Sequence, residues 1–225
     1  MIDAHVMNQP LYSITEAARI IEMPRGTFRD WARGQQARGA DGHIQTAEPV
    51  ITTSGFGRGP VVPFRGLAEG FVLNAFRAAG VSMQRIRPAV KRLEDEFGLV
   101  GALASRQLFT DGADVLWQFG KEVDDPTLQG GLVIVRNSQM IFTEVVRDYL
   151  RCITYGESGG VEAIRLPGFE PEVVVTPRIN FGQPTLKSRG VRVSDILDRL
   201  AAGETARQVA ADFLIPVADV VALAA

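Results

Sequence analysis

The sequence predicts an α+β chain of several units, helical at both ends with strands between them. Three observations carry that reading. Apolar residues recur at helical spacing behind good capping residues in the first hundred residues and again in the last fifty. Short apolar or alternating runs bounded by Gly, Pro and Asp fill the stretch between. The charge also changes sign along the chain: residues 58–92 hold seven Lys and Arg against one acid, and residues 94–172 hold fourteen acids against six bases. The last fifty residues are near neutral, with six bases and five acids. The expected units are therefore 1–100, 101–176 and 177–225.

Thr15 is expected to cap a first helix over 16–22, with Ala17, Ala18 and Ile21 turned inward. Met23 closes it, and Pro24 opens a second helix where a missing N–H costs nothing. The second helix runs to Arg33, with Phe28 and Trp31 inward and Arg25, Arg29 and Arg33 at every fourth position outward. Two short helices joined by a tight turn make a helix-turn-helix. The apolar pairs Val50-Ile51 and Val61-Val62 are expected to form a two-stranded ribbon whose tip, SGFGRG at 54–59, carries Arg58 as a wing. Helical periodicity returns over 67–79 and 81–97, divided by Gly80, with Pro88 kinking or shortening the second.

In the middle unit, QLFTDGADVLWQF predicts a hairpin around Asp111-Gly112, and residues 130–136 predict a strand. An amphipathic helix over 142–153 follows, then the strands VEAIRL and EVVVT divided by PGFEP. At the C-terminus Ser194 is expected to cap a helix ending at Gly203, Thr205 a second to Phe213, and a third follows Pro216. The third, PVADVVALAA, carries no base and one acid, Asp219, which suits a core or oligomer seam better than base reading.

The segment over about 10–97 resembles the MerR-type winged helix. The matching features are Ser13-x-x-Glu16-Ala17-Ala18, Thr27-Phe28-Arg29-x-Trp31, the wing, and the downstream helices with FRAAGVSMQRI. The resemblance implies contact with double-stranded operator DNA. The expected DNA-facing set is Thr15, Arg25, Thr27, Arg29, Arg33 and Arg58. Residues 178–223 look like the family called "domain of unknown function 433". They carry Gly182-x-Pro184, Lys187-x-Arg189-Gly190-Val191-x-Val193, Ile196-Leu197, Ala202-Gly203-x-Thr205 and Val209-Ala210-x-Asp212-Phe213.

That second resemblance implies an antitoxin of the VapB type in a type II toxin–antitoxin pair, with a PIN-like ribonuclease as partner and, by its form, a homodimer. A mouth lined with metal-holding carboxylates attracts basic side chains, so Lys187, Arg189 and Arg207 are the expected toxin-binding residues. The alternative reading is a stand-alone MerR-like transcription regulator whose middle unit senses a ligand.

Enzymatic, metal and cofactor roles are not expected. His5 and His43 lie far apart in sequence, and Asp111, Asp114, Asp124 and Asp125 sit where turns favour Asp anyway. Gly55-x-Gly57-x-Gly59 lacks the strand-to-helix setting of a phosphate loop. Cys152, the only cysteine, reads as a small buried residue and leaves no internal disulfide or zinc cluster. No apolar run approaches the roughly 20 residues of a membrane span, and the start MIDAHVMNQPLYS lacks a signal peptide's regions. A cytoplasmic protein without a membrane partner is expected.

Overall fold

A computed structural model gives the fold for residues 4–38, 44–55, 57, 59–80, 86–87, 90–91, 102–104, 148–157 and 159–225. The architecture is α+β with more than one unit, as its sequence predicts. Arg58, the expected hairpin of 107–119, the strand of 130–136, His43 and the four aspartates of 111–125 lie outside the described residues. Of the helix expected over 81–97, residues 86–87 and 90–91 are described and helical.

Near the N-terminus a short helix, α1 (Ala4–Asn8), precedes a strand, β1 (Pro10–Tyr12). Next comes the helix pair α2 (Ile14–Ile20) and α3 (Arg25–Arg33). The cap of α2 is Ser13, which corrects the expectation for Thr15. Ser13 Oγ accepts from Glu16 N at 3.2 Å while Ser13 N donates to Glu16 Oε2 at 2.9 Å. The S-x-x-E spacing satisfies two donors reciprocally, which a cap at Thr15 would not. Thr15 instead lies exposed in the first turn. Pro24 stands at the start of α3, whose Phe28, Trp31 and Ala32 are buried.

The expected ribbon is also corrected. The hairpin after α3 is β2 (Gln35–Arg38) paired antiparallel with β3 (Ile44–Ala47). Val50-Ile51 and Val61-Val62 do not form it. Val62 belongs to β4 (Val62–Pro63), which pairs with β1, and Val61 N donates to Tyr12 O at 2.9 Å. Ile51, Val61 and Val62 are apolar because they are buried in the core; the hairpin strands QQAR and IQTA are mostly polar. Apolarity marked burial rather than pairing.

Beneath both helices runs α4 (Phe64–Ala78), buried on nearly every side as a central helix should be. It starts at Phe64, three residues before the expected 67. Gly70 has no room for a side chain: a Cβ there would stand 2.7 Å from the Phe28 ring. Beyond it, a short 3-10 turn (Ala102–Ala104) is described.

The C-terminal half is a five-stranded antiparallel meander: β5 (Ile153–Tyr155), β6 (Val161–Arg165), β7 (Val173–Val175), β8 (Thr185–Leu186) and β9 (Val191–Arg192). The division placed between 176 and 177 falls inside this sheet, between β7 and β8. Three helices follow, α5 (Val193–Ala201), α6 (Ala206–Phe213) and α7 (Val217–Leu223). Thr205 caps α6 through a reciprocal box with Gln208. Ser194 does not cap α5; Arg192 holds that position without a side-chain bond, and Ser194 sits exposed in the first turn. Buried Val193 enters the helix directly from β9, its N–H donating to Pro184 O at 3.0 Å, so no loop residue is left to cap it. Ile196, Val209 and Val220 close the three-helix core.

The two halves share one continuous hydrophobic core. Their most specific tie is polar: the buried Tyr12 hydroxyl donates to Gly182 O at 2.8 Å across 170 residues of sequence. A Cβ on Gly182, whose φ is +76°, would lie 2.1 Å from that oxygen, so only glycine fits.

Candidate functional site

Side chains four residues apart on a helix advance by roughly 40° around its axis, so Arg25, Arg29 and Arg33 share one side of α3. All three are exposed, opposite the buried Phe28 and Trp31. Arg25 and Gly26 stand in the first turn, and nothing lies within 4 Å of where a Gly26 side chain would begin. The N-terminal end of the helix is therefore open to an approaching surface. Thr27 is half-buried on the flank. Arg29 is not free to reach outward unopposed, because its Nη2 and Nε donate to Asp30 Oδ1 at 3.1 and 3.2 Å. Exposed ion pairs of this kind are weak, so the contact biases the guanidinium without locking it.

The far end of α3 is fixed to the segment that follows the hairpin. The Trp31 carbonyl, one of the last in the helix, accepts from Val50 N at 2.8 Å and Ile51 N at 3.2 Å. Gly34, at φ +77°, lets β3 pass close; a Cβ there would be 2.5 Å from Ala47 O. The returning loop is then held by a buried carboxylate. Glu69 of α4 accepts from Thr52 N at 2.6 Å, Thr52 Oγ1 at 2.9 Å and Arg65 Nε at 3.2 Å. Burial pushes the Glu69 carboxyl above the usual range, with Thr52 and Arg65 opposing. Asn74, also on α4, donates from Nδ2 to Ile21 O at 3.0 Å and holds the turn between α2 and α3. The α2–α3 turn and the loop after the hairpin are thus both held by one central helix.

Of the residues expected to face DNA, the structure brings Arg25, Arg29 and Arg33 together on α3, places Thr27 beside them and puts Thr15 on α2. Sequence reasoning missed the hairpin at 35–47 and with it Arg38 at the end of β2. The signal for it was Gly34 directly after the helix. Glu69 and Asn74 were also missed; polar residues inside an otherwise apolar helix were the available sign.

At the other end, Lys187 and Arg189 share the exposed turn between β8 and β9, closed by Gly190 N donating to Leu186 O at 2.8 Å. Lys187 Nζ pairs with Glu172 Oε1 at 2.9 Å. Arg207 is exposed in the first turn of α6, a separate element. Cys152 is buried, with Arg165 Nη2 at 3.2 Å from its sulfur, and burial pushes its thiol up, which suits a packed residue. Among the described residues no cluster of His, Cys, Asp or Glu could hold a metal ion, and no helix is long and apolar enough to cross a membrane.

Two family models match the chain, one towards each end. Residues 10–90 match the family model described as "Putative DNA-binding HTH domain", and residues 173–225 match "Protein of unknown function (DUF433)". The chain is 42% identical over 211 residues to "Putative antitoxin VapB45" of Mycobacterium tuberculosis, spanning 91% of this chain and 88% of that protein. It is 28% identical to "Uncharacterized protein Rv2308" of the same organism, over 92% of this chain and 86% of that one. The crystal structure of Rv2018 from Mycobacterium tuberculosis superposes with a TM-score of 0.80 at 38% identity, covering 96% of this chain and 98% of that one. With a helix-turn-helix domain at its N-terminus and a DUF433 domain at its C-terminus, this chain belongs to the VapB-type antitoxin family.

Proposed function

We propose that this chain is the antitoxin of a type II, VapBC-type module, which binds and silences a PIN-like ribonuclease and represses its own operator. The observation that carries the DNA half is the exposed Arg25–Arg29–Arg33 side of α3, whose last turn is tied through the Trp31 carbonyl to Val50 and Ile51, just after the β2–β3 hairpin. An arginine-bearing helix fits the major groove, while the β2–β3 hairpin lies against the neighbouring backbone as a wing. The protein acts in the cytoplasm as a homodimer on paired half-sites. The antitoxin half rests on membership of the family, with the exposed Arg189 turn as the toxin-facing element.

Neither half requires catalysis by this chain. The test is co-expression with the ribonuclease encoded by the neighbouring reading frame, followed by co-purification, an RNase assay and operator binding across salt concentrations. The reading predicts a stable complex, loss of RNase activity and a salt-dependent affinity for the upstream DNA. Ribonuclease that stays active and unbound in excess antitoxin would sink it.

A further inference from the structure

Residues 179–182, between β7 and β8, are built in a costly way. Asn180, Phe181 and Gly182 are consecutive left-handed residues, with φ of 51°, 54° and 76°. Glycine and asparagine adopt that conformation readily; phenylalanine does not, because its Cβ crowds the following carbonyl. Phe181 also gains nothing from burial within the chain, being 76% exposed, and Ile179 beside it is 42% exposed. A residue strained in its backbone and unburied in its side chain persists only if its surroundings impose it.

They do. Below Phe181, the Gly182 carbonyl is held by the buried Tyr12 hydroxyl at 2.8 Å. On the other side, Asn180 Nδ2 donates to Thr185 Oγ1 at 3.0 Å and to Gly190 O at 2.8 Å. The second of these bonds draws the Lys187–Gly190 turn alongside, so the exposed ring stands next to the turn carrying Arg189. The segment itself is basic: residues 177–192 contain Arg178, Lys187, Arg189 and Arg192 and no acid. Two of these are paired within the chain, Arg178 with Glu162 of β6 and Lys187 with Glu172 just before β7, both at 2.9 Å, which leaves Arg189 and Arg192 as the remaining bases.

We propose that this loop is a protein-docking site with Phe181 as its anchor, and that its occupant offers an apolar socket rimmed by carboxylates. Resting on the antitoxin reading, that occupant is the ribonuclease, whose metal-holding carboxylates supply the complementary charge. A preset aromatic beside arginine has the composition of an interface hot spot, and its fixed backbone removes the ordering cost that a mobile loop would incur. Tyr12, which holds the loop's base, directly precedes the Ser13 that caps α2, so the anchor stands on the same frame as the DNA-reading helices.

The test uses the full chain, as wild type, Phe181→Gly and Arg189→Ala, titrated against the ribonuclease from the neighbouring reading frame, with sedimentation of each chain alone. Glycine accepts the left-handed backbone freely, so Phe181→Gly should melt no lower than wild type while its Kd for the ribonuclease rises at least tenfold. Arg189→Ala should associate more slowly and show a shallower salt dependence. Phe181→Gly binding as tightly as wild type overturns the anchor and leaves the antitoxin reading standing. A wild-type chain that does not bind the ribonuclease overturns both. Loss of a wild-type dimer in Phe181→Gly, without ribonuclease, assigns the ring to a second copy and overturns the proposal as well.

Discussion

Glu69 and Asn74 are a carboxyl and an amide buried at 3% and 8% exposure in the central helix of the N-terminal half, while Phe181, Leu214 and Val221 stand 76%, 69% and 56% exposed in the C-terminal half. The N-terminal half thus buries an ionisable group and an amide in one helix. Among the described residues the large exposed apolar side chains all lie in the C-terminal half, whose buried polar groups are the hydroxyls of Thr176 and Thr185. The buried pair has work to do inside: Glu69 takes two donors from Thr52 in the loop behind the hairpin and one from Arg65 of its own helix, and Asn74 holds the turn between α2 and α3. Such groups cost free energy unless their bonds are made, and in return they allow one arrangement only. The displayed apolar groups make no comparable bonds within the chain. The difference teaches that the N-terminal half is shaped to hold a geometry against a rigid ligand, and the C-terminal half to present surface for burial by a partner. Each prediction below strikes one side of this contrast.

The largest effect is expected from Trp31→Ala. Trp31 is buried where α3 meets the core, and truncating a buried Trp costs about 3–5 kcal/mol. Operator binding should be lost together with helical circular dichroism or with a clear fall in Tm. A variant that melts like wild type would show that the indole does not hold the recognition helix.

Glu69→Gln comes next. Leaving the half-buried Thr52 hydroxyl or Arg65 imperfectly paired costs about 1–3 kcal/mol, so the variant should be less stable near the ordinary carboxylate pKa. The pH dependence distinguishes this from a plain packing loss. Because burial raises the Glu69 pKa in the folded chain, the native state binds its proton more tightly than the unfolded one. Stability from this group is therefore full below the ordinary carboxylate value and declines as pH rises from there through the raised value. Melting curves of wild type and Glu69→Gln should accordingly converge as pH rises through that window. A gap that widens instead would mean that the carboxylate's bonds to Thr52 and Arg65 outweigh its desolvation.

Much of the arginine-bearing side of α3 was legible because its causes are local. The i, i+4 spacing of Arg25, Arg29 and Arg33, the inward Phe28 and Trp31, and the helix starts at Pro24, Thr205 and Pro216 all depend on residues within two turns. Ser13 was legible too, since its partner Glu16 is three residues away, but Thr15 is an equally good cap in isolation. The hairpin was misplaced because polar strands carry no alternation to read, whereas Val61-Val62 is apolar for burial beside α4. Tyr12 and Gly182 could not be paired by any local rule, being 170 residues apart. Phe181 reads as one more apolar residue; only the tertiary bonds to Asn180 and Gly182 turn it outward.

A smaller effect is expected from the arginines. Arg25→Ala with Arg29→Ala should leave the unfolding free energy within about 0.5 kcal/mol of wild type, as surface changes do. Operator affinity should fall by about 1–3 kcal/mol for each lost bidentate contact, with a reduced salt slope. The Arg29–Asp30 contact refines this. Arg25→Ala alone should account for most of the loss, and Asp30→Asn should tighten binding by freeing the guanidinium and removing a negative charge from the DNA-facing side. Fluorescence anisotropy across salt concentrations measures all three, and equal affinities would take α3 out of DNA recognition.

The smallest expected change tests whether display in the C-terminal half is functional at every exposed apolar residue or only at some. Leu214 ends α6 with φ 55° and ψ 43°, and Ile215 N donates back to Ala210 O at 3.0 Å. That is the left-handed helix ending in which glycine is the usual residue, because a Cβ there costs roughly 1–2 kcal/mol. Leu214→Gly keeps every backbone bond and removes the Cβ and an exposed isobutyl group. In a chain of this size a gain near 1 kcal/mol should raise Tm by about 2–4 °C. Operator binding should not change, since α6 lies in the other half. Ribonuclease binding separates the two meanings of the exposed leucine. An unchanged affinity with the higher Tm would make Leu214 a tolerated misfit and confine the displayed surface to Phe181 and its neighbours. A weaker complex despite the more stable fold would place Leu214 in the interface and extend it across the start of α7, where Val217 and Val221 are exposed one turn apart.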